Sequence, residues 1–132
     1  INTHDAYSHP QSVHMWSPGE PTIFATEPWH DWFMTQGGHD VVRSIAHYKF
    51  YWDYSPARPF LESENNYEGL DNLNPASMVR RAAYKSIQTG GLGYGYGAQG
   101  IWNSNYSASD YGATYGGYKW WYDGLYLAGG EH

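Results

Sequence analysis

One stretch of the chain, PFLESENNYEG at residues 59–69, decides how its fold is interpreted. The apolar start of this stretch predicts a short buried strand, which turns acidic at its end. In a regular strand the side chains alternate, so Glu62 and Glu64 are expected on one face and Ser63 on the other. Carboxylates at the C-terminal end of a barrel strand are typical of catalytic sites, although solvated loop carboxylates give the same pattern.

Helical patterns flank this strand on both sides. From residue 40 to residue 52 apolar side chains recur at three- and four-residue spacing, which predicts a helix that ends before Pro56. A second helix is predicted to start at residues 72–75, with Pro75 at an early helical position, and to run to Gly90-Gly91.

Further strands are predicted before and after this helical pair. Residues 29–36 form a short strand that ends in a glycine turn, and residues 1–5 form the tail of an earlier strand. Residues 92–102 alternate as a strand does, with glycines that permit close backbone packing or bends. A long polar loop at 103–117 then leads to a closing helix at 119–127. This order predicts an α/β chain with parallel strands.

Composition narrows the class of protein. The 132 residues fit one domain, 1–132, and are too few for a complete (β/α)8 barrel of about 250 residues. A net charge of −6 argues against a nucleic-acid partner, and the absence of cysteine excludes disulfides and thiolate metal sites. No run approaches the roughly 18 apolar residues that a membrane span needs, so no membrane partner is expected. The 14 Tyr, 7 Trp and 4 Phe are typical of a sugar-binding cleft, or of an aromatic core.

Four segments, in conserved order along the chain, resemble the apiosidase-like (β/α)8 barrel glycoside hydrolases. The sixth-strand motif of that family, W-L-D-F-N-M-x-Q-S-G-H, is similar to residues 29–39, and its seventh-strand motif, P-x-x-x-x-E-x-x-Y-E-G, is similar to residues 59–69. The other two matches are Thr3-His4, similar to the end of the fifth strand, and residues 80–102, similar to the helix and eighth strand.

This resemblance implies the fold, the chemistry and the partners. The fold is the C-terminal half of a TIM barrel, about four βα units matching strands 5–8, completed by self-association as a homo-oligomer or by a complementary barrel half. The family is related to retaining enzymes, so Glu64 matches the nucleophile and Glu68 the second acid of a Tyr-Glu pair. The implied substrate is a plant-type carbohydrate, the implied location is secreted or periplasmic, and no cofactor is expected.

The candidate substrate-binding residues lie at predicted strand ends, and they are His4, Gln36, His39, Tyr67, Tyr96 and Trp102. Gln36, His39 and Tyr96 are also predicted to donate hydrogen bonds that keep Glu64 ionised. Trp102 is either a platform that stacks on a sugar ring or a core residue. No metal site is expected, since the histidines lack metal-ligand spacing. Three histidines, His9, His14 and His47, are interpreted as loop or surface residues.

Several departures from the family leave the activity open. Phe33, Gly37 and Tyr94 stand where the family has Asn, Ser and His, and the chain contains no Gly-Gly-Asp motif, which carries the family's acid/base. A catalytic chain therefore needs a second carboxyl near Glu64, with Glu27, Asp5, Glu68 or a partner as its source. The alternative is a non-catalytic carbohydrate-binding half-barrel, while a structural, adhesive Tyr/Gly-rich protein fits the composition but not the four motifs.

Overall fold

A parallel two-stranded sheet forms the centre of the fold. The computed structural model describes residues 4–14, 20–39, 41–70, 73–104 and 120–131. The sheet and its helices are β1 (Phe33–Gly38), α1 (Ile45–Trp52), β2 (Phe60–Asn65), α2 (Ala76–Gln88) and the short α3 (Trp121–Gly124), with 3-10 turns at Glu20–Phe24 and Ala128–Gly130. The order β1–α1–β2–α2 confirms the predicted α/β pattern, since parallel neighbours need a crossover helix between them.

Two further segments lie alongside the sheet, one at each edge. His14 makes a parallel bridge to Met34 of β1, and Tyr94 makes one to Glu62 of β2. The prediction of a continuous strand over 92–102 is wrong, because beyond Tyr94 the segment pairs only once more, at Ala98, before turns at 99–104. Close packing by its glycines is confirmed: a Cβ on Gly95 would lie 2.4 Å from the carbonyl oxygen of Ser63.

At the two ends of the chain, the structure either differs from the predicted elements or does not describe the residues. Residues 1–3 and the loop at 105–119 are outside the described residues, and residues 4–5 are not in a strand. The closing helix predicted at 119–127 is only the four residues of α3. Within the ranges that are described, no helix is both long and apolar enough to cross a membrane.

Local capping explains where the two longer helices begin. The α1 helix starts at Ile45, later than predicted, because the side chain of Ser44 accepts a hydrogen bond from the amide of His47 as an N-cap. It ends at Trp52, before Pro56 as predicted. Pro75 is the N-cap of α2, with extended backbone (ψ 160°), and so lies one position outside the helix rather than within it.

The core lies between the sheet and α1 and is mainly aromatic. Phe33 of β1 and Phe60 of β2 are buried against Tyr48 and Tyr51 of α1. The rings of Tyr48 and Phe60 stack, with centroids 6.3 Å apart and planes 15° from parallel. Aromatic pairs of this kind bury much apolar area, so four of the six aromatic residues in β1, α1 and β2 have a structural role in the core.

A break in register separates the two glutamates of β2. Thr35 pairs with Glu62 but the next residue, Gln36, pairs with Glu64, so one extra residue of β2 is accommodated as a bulge. The prediction that the two glutamates share a face is therefore wrong. Glu62 is fully buried beside α1, whereas the Glu64 side chain keeps 17% of its surface exposed and contacts two histidines.

Candidate active site

The Glu64 carboxylate lies at the C-terminal end of β2, among three polar side chains. His39 Nε2 is 2.8 Å from Oε1, and His14 Nε2 is 3.2 Å from Oε2. The Tyr67 hydroxyl lies near the same carboxylate and interacts with it electrostatically. His39 follows β1, Tyr67 follows β2, and His14 comes from the edge segment beside β1. Three different segments thus orient one acid at the end of the sheet where α/β proteins place their sites.

Tyr67 is the residue that links this acid to the aromatic side chains nearby. Its ring packs edge-on against His39, with centroids 4.5 Å apart, and lies 6.1 Å from the Trp102 ring. Burial, followed by the negative charge of Glu64, raises the pKa of Tyr67 to about 12. Tyr67 is therefore protonated at neutral pH, so its hydroxyl is a hydrogen-bond donor beside the carboxylate.

Trp102 is half-exposed, at 42%, beside Tyr67, so the interpretation of this residue as a core tryptophan is wrong. Its indole Nε1 donates to Gln99 Oε1 at 3.0 Å, which holds the ring in place. A partly exposed aromatic ring that is held at its polar edge is the kind of surface on which a sugar ring packs.

Glu68 lies in a different environment from Glu64. It is 4% exposed, and its Oε2 accepts hydrogen bonds from the Tyr96 hydroxyl at 2.7 Å and from the Gly129 amide at 2.8 Å. These contacts connect the end of the β2 segment to the 3-10 turn at Ala128–Gly130. The geometry gives Glu68 a structural role in joining the C-terminal turn to the sheet.

We expect Glu68→Ala to lower the free energy of unfolding by about 2–3 kcal/mol, because it leaves a buried amide and a hydroxyl without their acceptor. Tyr96→Phe, which removes only one of the two bonds, should lower it by about 1 kcal/mol. Urea unfolding monitored by circular dichroism measures both values. Equal stability of Glu68→Ala and the unchanged protein would contradict this structural role.

The remaining predicted substrate-binding residues are placed differently. Gln36 is buried opposite Glu64 in the strand register. Tyr96 donates to Glu68, so its predicted role as a donor to Glu64 is wrong. His4 is exposed, and among the described residues it is His14 and His39, not His4, that lie within ion-pair distance of Glu64.

Of the three histidines interpreted as loop or surface residues, His9 and His14 are exposed, and only His47, on α1 with a largely buried side chain, contradicts that interpretation. His14 contacts Glu64, and no periodicity or motif in its Pro- and Ser-containing loop signals this. The His47 side chain is 7% exposed, and its Nε2 lies 2.8 Å from Thr35 Oγ1 and 3.9 Å from Glu62 Oε2. The feature of the sequence that could have predicted burial of His47 is its position on the inner face of a short helix. His9 agrees with its interpretation, since it is exposed and pairs with Asp5 of its own loop.

Glu62 and His47 form a buried pair of titratable groups. Burial raises the pKa of Glu62 to about 7, against the opposing effects of the nearby Tyr48 hydroxyl and the amides of Gly37 and Glu64. Burial, followed by the positive charge of Arg43, lowers the pKa of His47 to about 4. At neutral pH His47 is therefore uncharged, and its 3.9 Å approach to Glu62 is not an ion pair.

The raised pKa of Glu62 predicts a pH-dependent effect of Glu62→Gln on stability. The folded protein holds this proton more tightly than the unfolded chain does, so ionisation costs stability as pH rises from the ordinary value of 4.5 to about 7. Because Gln does not ionise, the variant should gain roughly 2–3 kcal/mol relative to the unchanged protein between pH 4.5 and pH 8. Urea unfolding at both pH values measures the gain. A difference between the two proteins that is the same at both pH values would contradict it.

The other acids considered as the second catalytic carboxyl do not join Glu64. Asp5 accepts hydrogen bonds from the amides of Tyr7 and His9 in its own turn, and both bonds, that from Tyr7 most, lower its pKa. Glu27 is exposed, on the turn that precedes β1. In the part of the chain that the structure describes, no group of three or more His, Asp or Glu side chains is arranged to hold a metal ion.

Comparison with known proteins identifies related chains. The family model described as "Apiosidase-like, catalytic domain" matches residues 1–132. A solved structure titled "Glycoside hydrolase" is 26% identical with a TM-score of 0.65, and covers 82% of this chain. A family 5 glycoside hydrolase from Bacteroides vulgatus ATCC 8482 is also 26% identical, with a TM-score of 0.67 over 82% of this chain. The chain spans only 29% and 28% of these two proteins. No curated protein matches it.

Proposed function

This chain belongs to the apiosidase-like family of catalytic domains, and we propose that it carries the nucleophile side of a retaining glycosidase active site. The observation that supports this most directly is the Glu64 carboxylate, which is partly exposed and oriented by His14, His39 and Tyr67. A nucleophilic carboxylate needs hydrogen-bond donors that fix its direction and a path to substrate, and Glu64 has both.

The proposed reaction is a double displacement. An oxygen of Glu64 forms a bond to the anomeric carbon while the bond to the leaving oxygen breaks and a general acid protonates that oxygen. Water, deprotonated by the same group, then releases the sugar from Glu64. The two carboxyls of retaining enzymes lie about 5–5.5 Å apart. Because Asp5, Glu27 and Glu68 are positioned elsewhere, the acid in this proposal comes from a second copy or a complementary segment.

The proposed substrate is a carbohydrate of the plant type that the family resemblance suggests. Trp102 offers a half-exposed ring beside Tyr67, which suits the C–H face of a pyranose. The Nε2 atom of His39 is 2.8 Å from Glu64 and its Nδ1 atom is buried, so its role in this proposal is to orient the carboxylate. Gln36 lies at the same end of the sheet but is buried, so its proposed role is to pack beside the site rather than to contact the sugar. His4 is exposed, and we retain it as a proposed contact to the sugar.

We also propose that the chain forms half of a barrel that another half completes. Among the described residues, its two edge segments pair through isolated bridges, at His14 on one side and at Tyr94 and Ala98 on the other. On the sheet face opposite α1, Trp32, Leu61 and Leu92 line part of an open groove of about 500 Å³, and Leu92 is 68% exposed. An apolar sheet face with open edges favours association with a second copy or a complementary half.

The alternative is a half-barrel that binds carbohydrate without cleaving it. One observation favours it: no second carboxylate among the described residues accompanies Glu64 in its cluster of contacts. The aromatic surface at Tyr67 and Trp102 would serve such a binding module equally well. The two functions differ in turnover, not in affinity for sugar.

A panel of aryl glycosides and plant oligosaccharides, incubated with the purified chain, distinguishes the two functions. Release of the aryl group, with early product that retains the anomeric configuration in proton NMR spectra, is the result we expect. Binding without turnover, measured by calorimetry on the same panel, would support the binding module instead. An inverted product would contradict the double displacement.

A further inference from the structure

Glu62, which has no part in the reaction above, holds the backbone from which Glu64 projects. Its side chain is 0% exposed. Oε1 accepts hydrogen bonds from the amide of Gly37 at 3.0 Å and, more weakly, from the amide of Glu64 at 3.4 Å. Oε2 accepts one from Asn65 Nδ2 at 3.5 Å. One buried carboxyl group thus contacts both strands at the break in their register.

The break in register is what turns Glu64 away from the core. In a regular strand Glu64 would lie on the same face as Glu62, against α1. The extra residue between the pairs Thr35–Glu62 and Gln36–Glu64 reverses that direction. A bulge leaves a backbone amide without its usual ladder partner, and an acceptor nearby is needed to satisfy it. Glu62 supplies acceptors to the amides on both strands.

We propose that Glu62 is a positioning residue that fixes the bulge and thereby directs Glu64 toward His14 and His39. The proposal deepens the proposed function, because it takes Glu64 to be the nucleophile. Arg43 acts from the other side of the same backbone, since its Nε donates to the carbonyl oxygen of Gly37. Gly37 is therefore held through both its amide and its carbonyl group.

The groups around Glu62 make its ionisation observable. From α1 it is faced by the uncharged His47, at 3.9 Å, and by Tyr48, whose pKa is raised by burial. From the edge segment it is faced by Tyr94, whose pKa burial also raises. Arg43 is the cation whose charge reaches the His47 and Tyr48 side chains beside it. A change in the charge of Glu62 should therefore be felt by the two amides it accepts from.

The first test follows those amides by NMR from pH 5 to pH 9. We expect the amide proton shifts of Gly37 and Glu64 to move together with one midpoint near pH 7, and this titration to be absent in Glu62→Gln. Shifts that do not move, or that still move in Glu62→Gln, would overturn the proposal. This test needs neither substrate nor turnover, so it is independent of the proposed function.

The second test compares Glu62→Ala, Glu62→Gln and a matched control, Ser63→Ala, which removes a 2.8 Å hydrogen bond to the carbonyl oxygen of Thr35 in the same bulge. We expect Glu62→Ala to lower kcat about 100-fold with little change in KM, because misplacement of a nucleophile by about 1 Å has that effect. Glu62→Gln keeps an acceptor oxygen and should restore most of the turnover. A similar loss in Ser63→Ala would overturn the assignment to Glu62.

The tests also separate failure of this proposal from failure of the proposed function. If the unchanged protein cleaves no glycoside, the proposed function fails, and the imidazole resonances of His14 and His39 replace turnover as the readout. We expect these resonances to change in Glu62→Ala but not in Glu62→Gln or Ser63→Ala. Unchanged resonances in a folded Glu62→Ala variant would overturn the proposal. If Glu62→Ala does not fold, the amide titration of the unchanged protein and of Glu62→Gln is the test of the proposal.

Discussion

Glu64→Gln is expected to reduce glycoside turnover by at least about 10³-fold, with the fold retained. The amide has nearly the same shape as the carboxylate and can still contact His14, His39 and Tyr67, but it cannot form the glycosyl–enzyme bond. Initial rates on the best substrate of the panel measure the effect, and circular dichroism verifies the fold. Loss of the nucleophile acts on the transition state, so affinity for sugar should persist.

Two controls make the result specific to Glu64. Asp53→Asn removes an acid that is 53% exposed and paired with Lys49 on the surface, and should leave turnover unchanged. Glu64→Gly with added azide should recover part of the activity, because the small anion occupies the position of the missing carboxylate and forms a glycosyl azide. Turnover by Glu64→Gln within about tenfold of the unchanged protein would mean that another group is the nucleophile.

Gly37→Ser should produce the largest loss of stability, about 3 kcal/mol, although Ser is the residue that the family motif carries at this position. A Cβ on Gly37 would lie 1.7 Å from Asn65 Nδ2 and 2.9 Å from Glu62 Oε2. Both neighbours are fully buried and cannot move aside. In this chain Asn65 and Glu62 occupy the space that a serine side chain would need. Urea unfolding at pH 7 measures the loss.

Gly130→Ser is the matched control, because a Cβ on Gly130 would lie 3.4 Å from the nearest atom, a ring carbon of Tyr96. It should change the free energy of unfolding by less than about 1 kcal/mol. Combining Gly37→Ser with Asn65→Ala removes the worst contact, so the double variant should lose less stability than the sum of the single variants. Additive losses would show that the contact with Asn65 is not the cause.

The sheet and its two main helices could be predicted because their signals are local. Apolar spacing at residues 33–38 and 60–65 and helical periodicity before Pro56 and Gly90 depend only on neighbours along the chain. The start of α1 differs from its predicted position because the N-cap Ser44 determines where the helix begins. The prediction of a strand at 92–102 was wrong, because its glycines allow an alternating pattern without continuous strand pairing.

The candidate site could be predicted only in part. Glu64 lies at the end of β2 and His39 follows β1, and strand ends in a parallel sheet lie at one edge, so their contact was predictable. His14 is twenty residues from Met34 along the chain and reaches the site only through its bridge to β1. The prediction that Tyr96 contacts Glu64 depends on their shared edge of the sheet, but the Tyr96 hydroxyl donates to Glu68 instead.

The sequence by itself therefore determined the family, the α/β order and the acidic strand end with Glu64, because each depends on local pattern or motif. Only the tertiary structure decided which glutamate is buried and which is open. Glu62 and Glu64 are two residues apart and look equivalent in an alternating strand. The bulge that separates them is held by contacts between β1 and β2, and contacts between segments distant in sequence leave no periodic signal in either segment.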